Sequence, residues 1–129
     1  MLTLQQIKTV HSKVKTGADF PAYIKDMKVL GVTDYETYVT DGHSIYHGKD
    51  LPALISEPKY NVLFISDTTD SGQFKKDLAK HQNGGSDYFQ FCRDCARNGV
   101  EKWIVSLESM TCTYFDKTGN ELLMEQIPG

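Results

Sequence analysis

Two of the chain's three cysteines, Cys92 and Cys95, form a C-x-x-C pattern within the stretch YFQFCRDCARNG. This spacing is typical of thiol redox pairs and of one half of a structural zinc site. A redox pair lies at a helix N-terminus, but this pair follows the predicted N-cap Asp87 by more than one turn. A structural zinc site needs four ligands, and the sequence offers neither a second C-x-x-C nor an H-x₃₋₅-H on a suitable element. Redox and metal roles stay open, and the pattern favours burial of both cysteines in the core.

The other groups capable of chemistry lie on a hairpin predicted over residues 35–48. Its Asp41-Gly42 dipeptide favours a two-residue type I′ turn. The predicted cross-strand pairs are Thr40 with His43, Tyr38 with Ile45, and Glu36 with His47. A Glu36–His47 pair would tune a histidine near neutral pH.

Side chains alternate between the two faces of a strand, so the pattern divides the predicted sheet into an inner and an outer face. The inner face would carry Tyr35, Thr37, Val39, Ser44, Tyr46, Trp103, Val105, Leu107, Cys112 and Tyr114. The candidate binding residues share the outer face and are Glu36, Tyr38, His43, Ile45, His47, Ile104 and Phe115. An outer face of this mixed character is a solvated surface, a ligand or partner surface, or a catalytic site.

Neither a metal nor a cofactor is predicted. His43 and His47 would lie about 13 Å apart along a strand, too far to share one metal ion. The sequence contains no glycine-rich phosphate loop, no Ser-His-Asp pattern and no HExxH motif. We expect His11 and His81 on helix surfaces, and Asp26 and Asp94 in helix-surface ion pairs.

The elements that must position these residues follow from hydrophobic spacing and capping signals. Apolar spacing predicts one helix from a Thr3 cap to about Thr16 and a second that ends at Gly31. The hairpin follows, and the apolar stretch KYNVLFIS (59–66) is predicted as a third strand. The second half predicts helices over SGQFKKDLAKHQ and DYFQFCRDCARNG, and then strands over KWIVSLE, TCTYFD and ELLMEQI.

A shift of 68 residues superimposes the two halves without a gap. It aligns Asp26 with Asp94, Gly31 with Gly99, Tyr35 with Trp103 and Tyr46 with Tyr114. Cys92 takes the place of Ile24 and Cys95 that of Met27, both on the apolar stripe of a helix. We therefore predict duplicated helix-helix-strand-strand-strand units, about 1–68 and 69–129. The predicted fold is α+β, with about six mainly antiparallel strands and the helices largely on one face.

The composition bounds the class of protein. A chain of 129 residues predicts one domain, 1–129. The formal net charge of −3 argues against nucleic-acid binding, and no apolar stretch approaches the length of a membrane span. The N-terminus lacks the pattern of a signal peptide, and an odd number of cysteines suits a reducing compartment. We expect a cytoplasmic protein with no nucleic-acid or membrane partner.

Three stretches closely resemble the YbcV-like bacterial family of unknown function. They are HSKVKTGADFPAYIKDMKVLGV, YETYVTDGH and GVEKWIVSLESMTCTYFDKTGNELLMEQIP. The resemblance implies a compact α+β fold and a bacterial or prophage origin, since some members are labelled "phage envelope protein". It implies no catalytic residues.

We expect a binding or interaction module that uses the outer sheet face rather than an enzyme. Its partner would be an unidentified protein or small ligand, and the chain would be capable of forming a homodimer. The alternatives are a small enzyme that uses Glu36, His43 or His47, and a phage structural component.

Overall fold

The computed structural model describes residues 3–14, 19–49 and 51–127, apart from the side chain of Leu51. The first half contains α1 (Leu4–His11), α2 (Phe20–Val29), β1 (Val32–Tyr38), β2 (Ser44–Gly48) and β3 (Leu51–Ile55). The second half contains α3 (Ser71–Gln82), α4 (Tyr88–Arg97), β4 (Val100–Ser106), β5 (Thr111–Asp116) and β6 (Glu121–Gln126). Within these described ranges, four helices and one antiparallel sheet make an α+β fold, as the sequence predicts.

Helices α1, α3 and α4 begin at a residue whose side chain caps the first turn. Thr3 forms a capping box with Gln6, and Asp87 accepts a hydrogen bond from the Gln90 N–H at 2.8 Å. The first helix ends at His11, earlier than predicted, and Thr16 lies outside the described residues. No helix in the described part of the chain is long and apolar enough to cross a membrane.

All six strands form one sheet in the order β3-β2-β1-β4-β5-β6. The halves meet at β1 and β4, where Glu36 pairs with Ile104, the residue 68 positions further along the chain. Tyr35 pairs with Val105 and Thr37 with Trp103, symmetrically about that pair. An approximate two-fold axis therefore passes between Glu36 and Ile104. An origin of this symmetry by duplication stays a prediction.

The helices pack on the inner face of the sheet, where the core lies. Aromatic side chains join the two layers: Tyr23 of α2 contacts Tyr35 of β1, and Phe91 of α4 contacts Trp103 of β4. All ten residues predicted for the inner face are buried. The cysteines Cys92 and Cys95 are fully buried, as are Ile24 and Met27 at the equivalent positions, which confirms the core interpretation.

The predicted register of the hairpin is wrong by two residues. The Tyr38 backbone carbonyl accepts a hydrogen bond from the Gly42 N–H, and the Tyr38 N–H donates to the His43 carbonyl. The loop therefore contains four residues, 39–42, instead of two. The longer loop forms because Val39 is fully buried and its N–H bonds to the Glu101 carbonyl instead of continuing the hairpin. A shift of two leaves each side chain on its predicted face.

The third strand of the first half is also not where the sequence predicts it. Residues 59–66 belong to an irregular segment, 56–70, which we call the strap. Its N–H groups bond to loops and helix ends: Leu63 to the Thr40 carbonyl and Ser66 to the Ala96 carbonyl. The third strand is β3, which tolerates Pro52 because it forms the edge of the sheet.

Candidate functional site

The seven predicted site residues are all partly exposed on the outer face of the sheet. The central row of this face crosses every strand and consists of Ile55, Ile45, Glu36, Ile104, Thr113 and Met124. The next row contains His43, Tyr38, Lys102 and Phe115. The structure thus places the predicted residues on one continuous surface.

Lys102 is the centre of the contacts on this surface. Its Nζ lies 3.9 Å from Glu36 Oε2, and it lies 5.6 Å and 5.8 Å from the ring centres of Tyr38 and Phe115. Cation–π contacts of this geometry stabilise the positions of both rings. The sequence analysis did not single out Lys102, although the alternation of faces places it beside Tyr38.

The structure separates the groups that the enzyme alternative would use. Glu36 lies opposite Ile45, and His47 lies opposite Asp34, so the predicted Glu36–His47 pair does not form. His43 stacks on Tyr38 and bonds through Nδ1 to Asp41 at 2.5 Å. Although burial opposes ionisation of Asp41, the hydrogen bonds from His43 hold the pKa of its carboxyl below the ordinary value. These groups do not converge on one point where a substrate atom would react.

The histidines and acids of the helices also differ from prediction. His81 is buried and stacks on Phe91 with a ring separation of 4.4 Å, so it is not a surface residue. His11 is partly buried between the rings of Tyr23 and Tyr88. Both histidines lie on the helix face that packs against aromatic side chains of α2 and α4.

Asp94 is likewise not a surface residue, because it is only 5% exposed. It accepts hydrogen bonds from Gln90 Nε2 at 2.9 Å and from Arg97 Nη2 at 2.8 Å. Asp77 of α3 accepts a hydrogen bond at 2.8 Å from Nδ2 of Asn98, the residue at the C-terminal end of α4. These polar side chains therefore join α3 to α4.

A cavity of about 100 Å³ lies between the helices and the inner face of the sheet. No sequence pattern described above predicts this cavity. Its walls are mainly aromatic and include Tyr23, Tyr35, Tyr46, Tyr88, Phe91, Trp103 and Tyr114. Several of these residues are equivalents at the 68-residue offset, such as Tyr35 with Trp103 and Tyr46 with Tyr114. The halves therefore build the cavity together, close to the approximate two-fold axis.

Both halves contribute polar as well as apolar groups to the cavity walls. The first half contributes hydroxyl groups from Tyr23, Tyr35 and Tyr46, and the Thr37 and Ser44 hydroxyls, which lie 2.7 Å apart. The second half contributes Tyr88 and Tyr114 together with the apolar side chains of Leu78, Phe91 and Trp103. Burial raises the pKa of the tyrosines in these walls, so their hydroxyls remain neutral hydrogen-bonding groups.

The cavity adjoins a cleft of about 330 Å³ between α1 and the strap. His11, Tyr46 and Lys59 line both spaces and therefore form the boundary between them. Burial, and then the charge of Lys59, lower the pKa of His11 to about 4, which keeps its ring neutral at pH 7. Burial also lowers the pKa of the Lys59 ammonium, although the residue as a whole is exposed.

Cys112 is the one described cysteine that lines the cavity. Burial raises the pKa of its thiol to about 12, so the reactive thiolate is absent at pH 7. No three His, Cys, Asp or Glu side chains within the described ranges could together hold a metal ion. With a neutral histidine and a protonated thiol, the walls suit the binding of a molecule better than proton transfer or nucleophilic attack.

One signal in the sequence could have pointed to the cavity. Three tyrosines, Tyr35, Tyr46 and Tyr114, alternate onto the inner face, where each hydroxyl needs a hydrogen-bonding partner. A core formed only for packing would use apolar residues more often at such positions.

Comparison with known proteins assigns the chain to a family without assigning an activity. A protein-family model described as "Protein of unknown function (DUF1398)" matches residues 8–126. A search of curated proteins finds no match. The matched range includes the cavity walls from His11 to Gln126 and all seven predicted residues of the outer face.

Proposed function

Because this chain belongs to the DUF1398 family, whose function is unknown, we propose from its geometry that it binds a small aromatic molecule inside the cavity. The single observation that supports this proposal is a cavity whose walls combine several aromatic rings with hydroxyl groups. Small-molecule sites have this character, since apolar walls supply affinity and a few polar groups fix orientation. The proposed binding site is thus in the interior, whereas the sequence predicts one on the outer face of the sheet.

The size of the cavity limits the ligand to one ring. A cavity of about 150 Å³ lined by apolar groups accommodates benzene. The volume here is smaller, about 100 Å³, so a single ring enters only with small shifts of the wall side chains, while a substituent extends into the adjoining cleft. A fused or branched ligand would have to displace buried side chains.

Trp103 makes the proposal easy to test, because it is the chain's only tryptophan and lines the cavity. We expect its fluorescence to change saturably on titration with phenol or benzyl alcohol. The absence of any change, with no shift in the unfolding temperature, would contradict the proposal.

Two cysteine variants provide a matched test of the site. Cys112→Leu adds roughly two methyl-sized groups inside the cavity and should abolish ring binding without lowering the unfolding temperature. Cys95 is equally buried but does not line the cavity, so Cys95→Leu should destabilise the fold by about 1–3 kcal/mol through overpacking. Equal destabilisation by both variants would show that the cavity is already filled.

The outer face supports a second proposal, a weak homodimer formed by packing the outer faces of two copies. Ile55 and Met124, at the two ends of its central row, are 61% and 58% exposed. Six strands at about 4.8 Å spacing, each about 20 Å long, give roughly 500 Å² per copy. The total of about 1,000 Å² is at the lower limit for a specific interface, so association should depend on concentration.

Light scattering after size exclusion tests this second proposal. The wild-type chain should change from monomer to dimer as its concentration rises, and Ile104→Lys should remain monomeric. Val29→Lys is the matched control, because Val29 is 86% exposed on α2, away from the outer face. A monomer at all concentrations would refute the dimer, and large assemblies would instead favour the phage structural component.

The finer identity of the protein also remains a proposal. The stretches quoted above support a YbcV-like, prophage-associated protein, and they lie largely within the matched range. Three free cysteines support a reducing, cytoplasmic location.

A further inference from the structure

The boundary between the cavity and the cleft carries an unpaired positive charge. Lys59 lines both spaces, and its Nζ lies 5.7 Å from the ring centre of Tyr88. No ion pair joins Lys59 to any carboxylate of the described residues. Lys59 is exposed at this boundary, so an anion from solvent can approach its ammonium group directly.

The backbone fixes Lys59 in this position. Its N–H donates to the Asp41 carbonyl at 2.8 Å, and the neighbouring Tyr60 hydroxyl donates to the Val39 carbonyl at 2.6 Å. A side chain at Gly42 would come within 3.2 Å of Lys59 Cβ and closer still to the Tyr60 ring. The hairpin loop and the strap are therefore packed together, and the Lys59 side chain starts from a fixed backbone position.

The other charges near the two spaces favour an anion at this end. Lys8 lines the cleft, and Glu57 partly offsets it. His11 is neutral, so Lys59 is the cation that faces both the cavity and the cleft within the described part of the chain. Glu125 lines the cavity from β6, the edge strand far from β2, and accepts a hydrogen bond from Gln82.

We propose that the ligand is a small aromatic monocarboxylate, whose ring enters the cavity while its carboxylate pairs with Lys59 at the boundary. This inference rests on the proposed binding function and adds the chemical class of the ligand. The aromatic walls select the ring, Lys59 selects the negative charge, and Glu125 disfavours a second carboxylate at the far end. Entry occurs from the cleft between α1 and the strap, past His11.

Phenylacetate and phenylacetamide are suitable probes, because they have nearly the same shape and differ in charge. Titration of Trp103 fluorescence at pH 7 should show phenylacetate binding about tenfold more tightly, as expected for one charge-assisted contact. Lys59→Met keeps the aliphatic stem and should remove this preference, while changing the affinity for phenylacetamide less than twofold. Lys59→Arg should retain the preference, and Lys8→Met should weaken phenylacetate binding less than threefold.

The outcomes separate the two proposals. If both probes bind equally and Lys59→Met changes neither, the carboxylate class is wrong and the ring-binding function stands. Tighter binding of phenyl phosphate than of phenylacetate would also overturn the carboxylate class. If no aromatic probe binds, both proposals fail.

Discussion

Gly31 and Gly99 occupy equivalent positions at the end of α2 and of α4, and they offer a comparison within one chain. Both have positive φ angles, +95° and +84°, which residues other than glycine adopt at a cost. A Cβ at Gly31 would meet nothing within 4 Å. A Cβ at Gly99 would lie 2.9 Å from the Thr68 carbonyl oxygen and 3.0 Å from Thr69 Cα, both backbone atoms of the strap.

The expected magnitudes follow from these contacts. Alanine in the left-handed region costs about 1–2 kcal/mol, and the stiffer unfolded chain offsets about 0.4–1 kcal/mol. Gly31→Ala should therefore destabilise the fold by about 1 kcal/mol. Gly99→Ala carries the same cost and must also displace the strap, which Asp70 N–H holds to the Asn98 carbonyl at 3.0 Å. Such overpacking costs about 1–3 kcal/mol more, giving a total of about 2–4 kcal/mol.

Thermal unfolding followed by circular dichroism measures both variants directly. The unfolding temperature of Gly99→Ala should fall further than that of Gly31→Ala, by about 3–4 °C for each additional kcal/mol. Phenylacetate binding should also weaken in Gly99→Ala, because the strap carries Lys59. Equal stability losses in the two variants would refute the close packing of the strap against α4.

Three further perturbations have defined outcomes. Asp94→Ala should reduce the free energy of unfolding in a urea titration by about 2 kcal/mol, because Gln90 and Arg97 lose a buried charged acceptor. Asp26→Ala is the matched control at the equivalent, partly exposed position, and it should reduce the free energy of unfolding by less than about 0.5 kcal/mol. Tyr60→Phe should cost about 1 kcal/mol in thermal unfolding, because the Val39 carbonyl loses its hydrogen bond from the hydroxyl; no loss would contradict the anchoring of the strap at this point. For His11, the folded pKa of about 4 lies below the ordinary 6.5, so the unfolded chain binds more protons between these values and stability falls as the pH drops. The wild type should lose about 2 kcal/mol more than His11→Gln between pH 7 and pH 5, and parallel losses would contradict the buried neutral histidine.

The assignment of residues to the two sheet faces could be predicted from the sequence. Alternation alone identified the buried side chains of β2 and β5 and those of β1 and β4 except Val32 and Val100 at their first positions. The error in register preserved the faces because it was an even number of residues. The 68-residue offset also identified the environment of Cys92 and Cys95 from Ile24 and Met27.

The third strand could not be assigned because hydrogen-bonding partners are not visible in a local pattern. The strap alternates like a strand, with Val62 and Phe64 exposed and Ile65 buried. Its backbone groups nevertheless bond to loops and helix ends, while β3 with its proline forms the edge of the sheet.

The cavity could not be predicted for a different reason. Alternation shows that Tyr35, Tyr46 and Trp103 face inward, but it does not show how closely α2 and α4 approach them. An unfilled volume depends on the distance between packed layers and on the directions of several side chains. Lys59 was missed because it lies in the strap, whose path over the cavity depends on tertiary hydrogen bonds.

The most direct test of the binding site is an isotope-filtered NMR measurement of the protein with bound phenylacetate. We expect nuclear Overhauser effects between the phenylacetate ring protons and the rings of Trp103 and Tyr46 inside the cavity. We also expect effects between the methylene protons beside the carboxylate and the side chain of Lys59. Contacts of the ring with Ile45 and Ile104 on the outer face, without contacts to Trp103, would contradict the central claim.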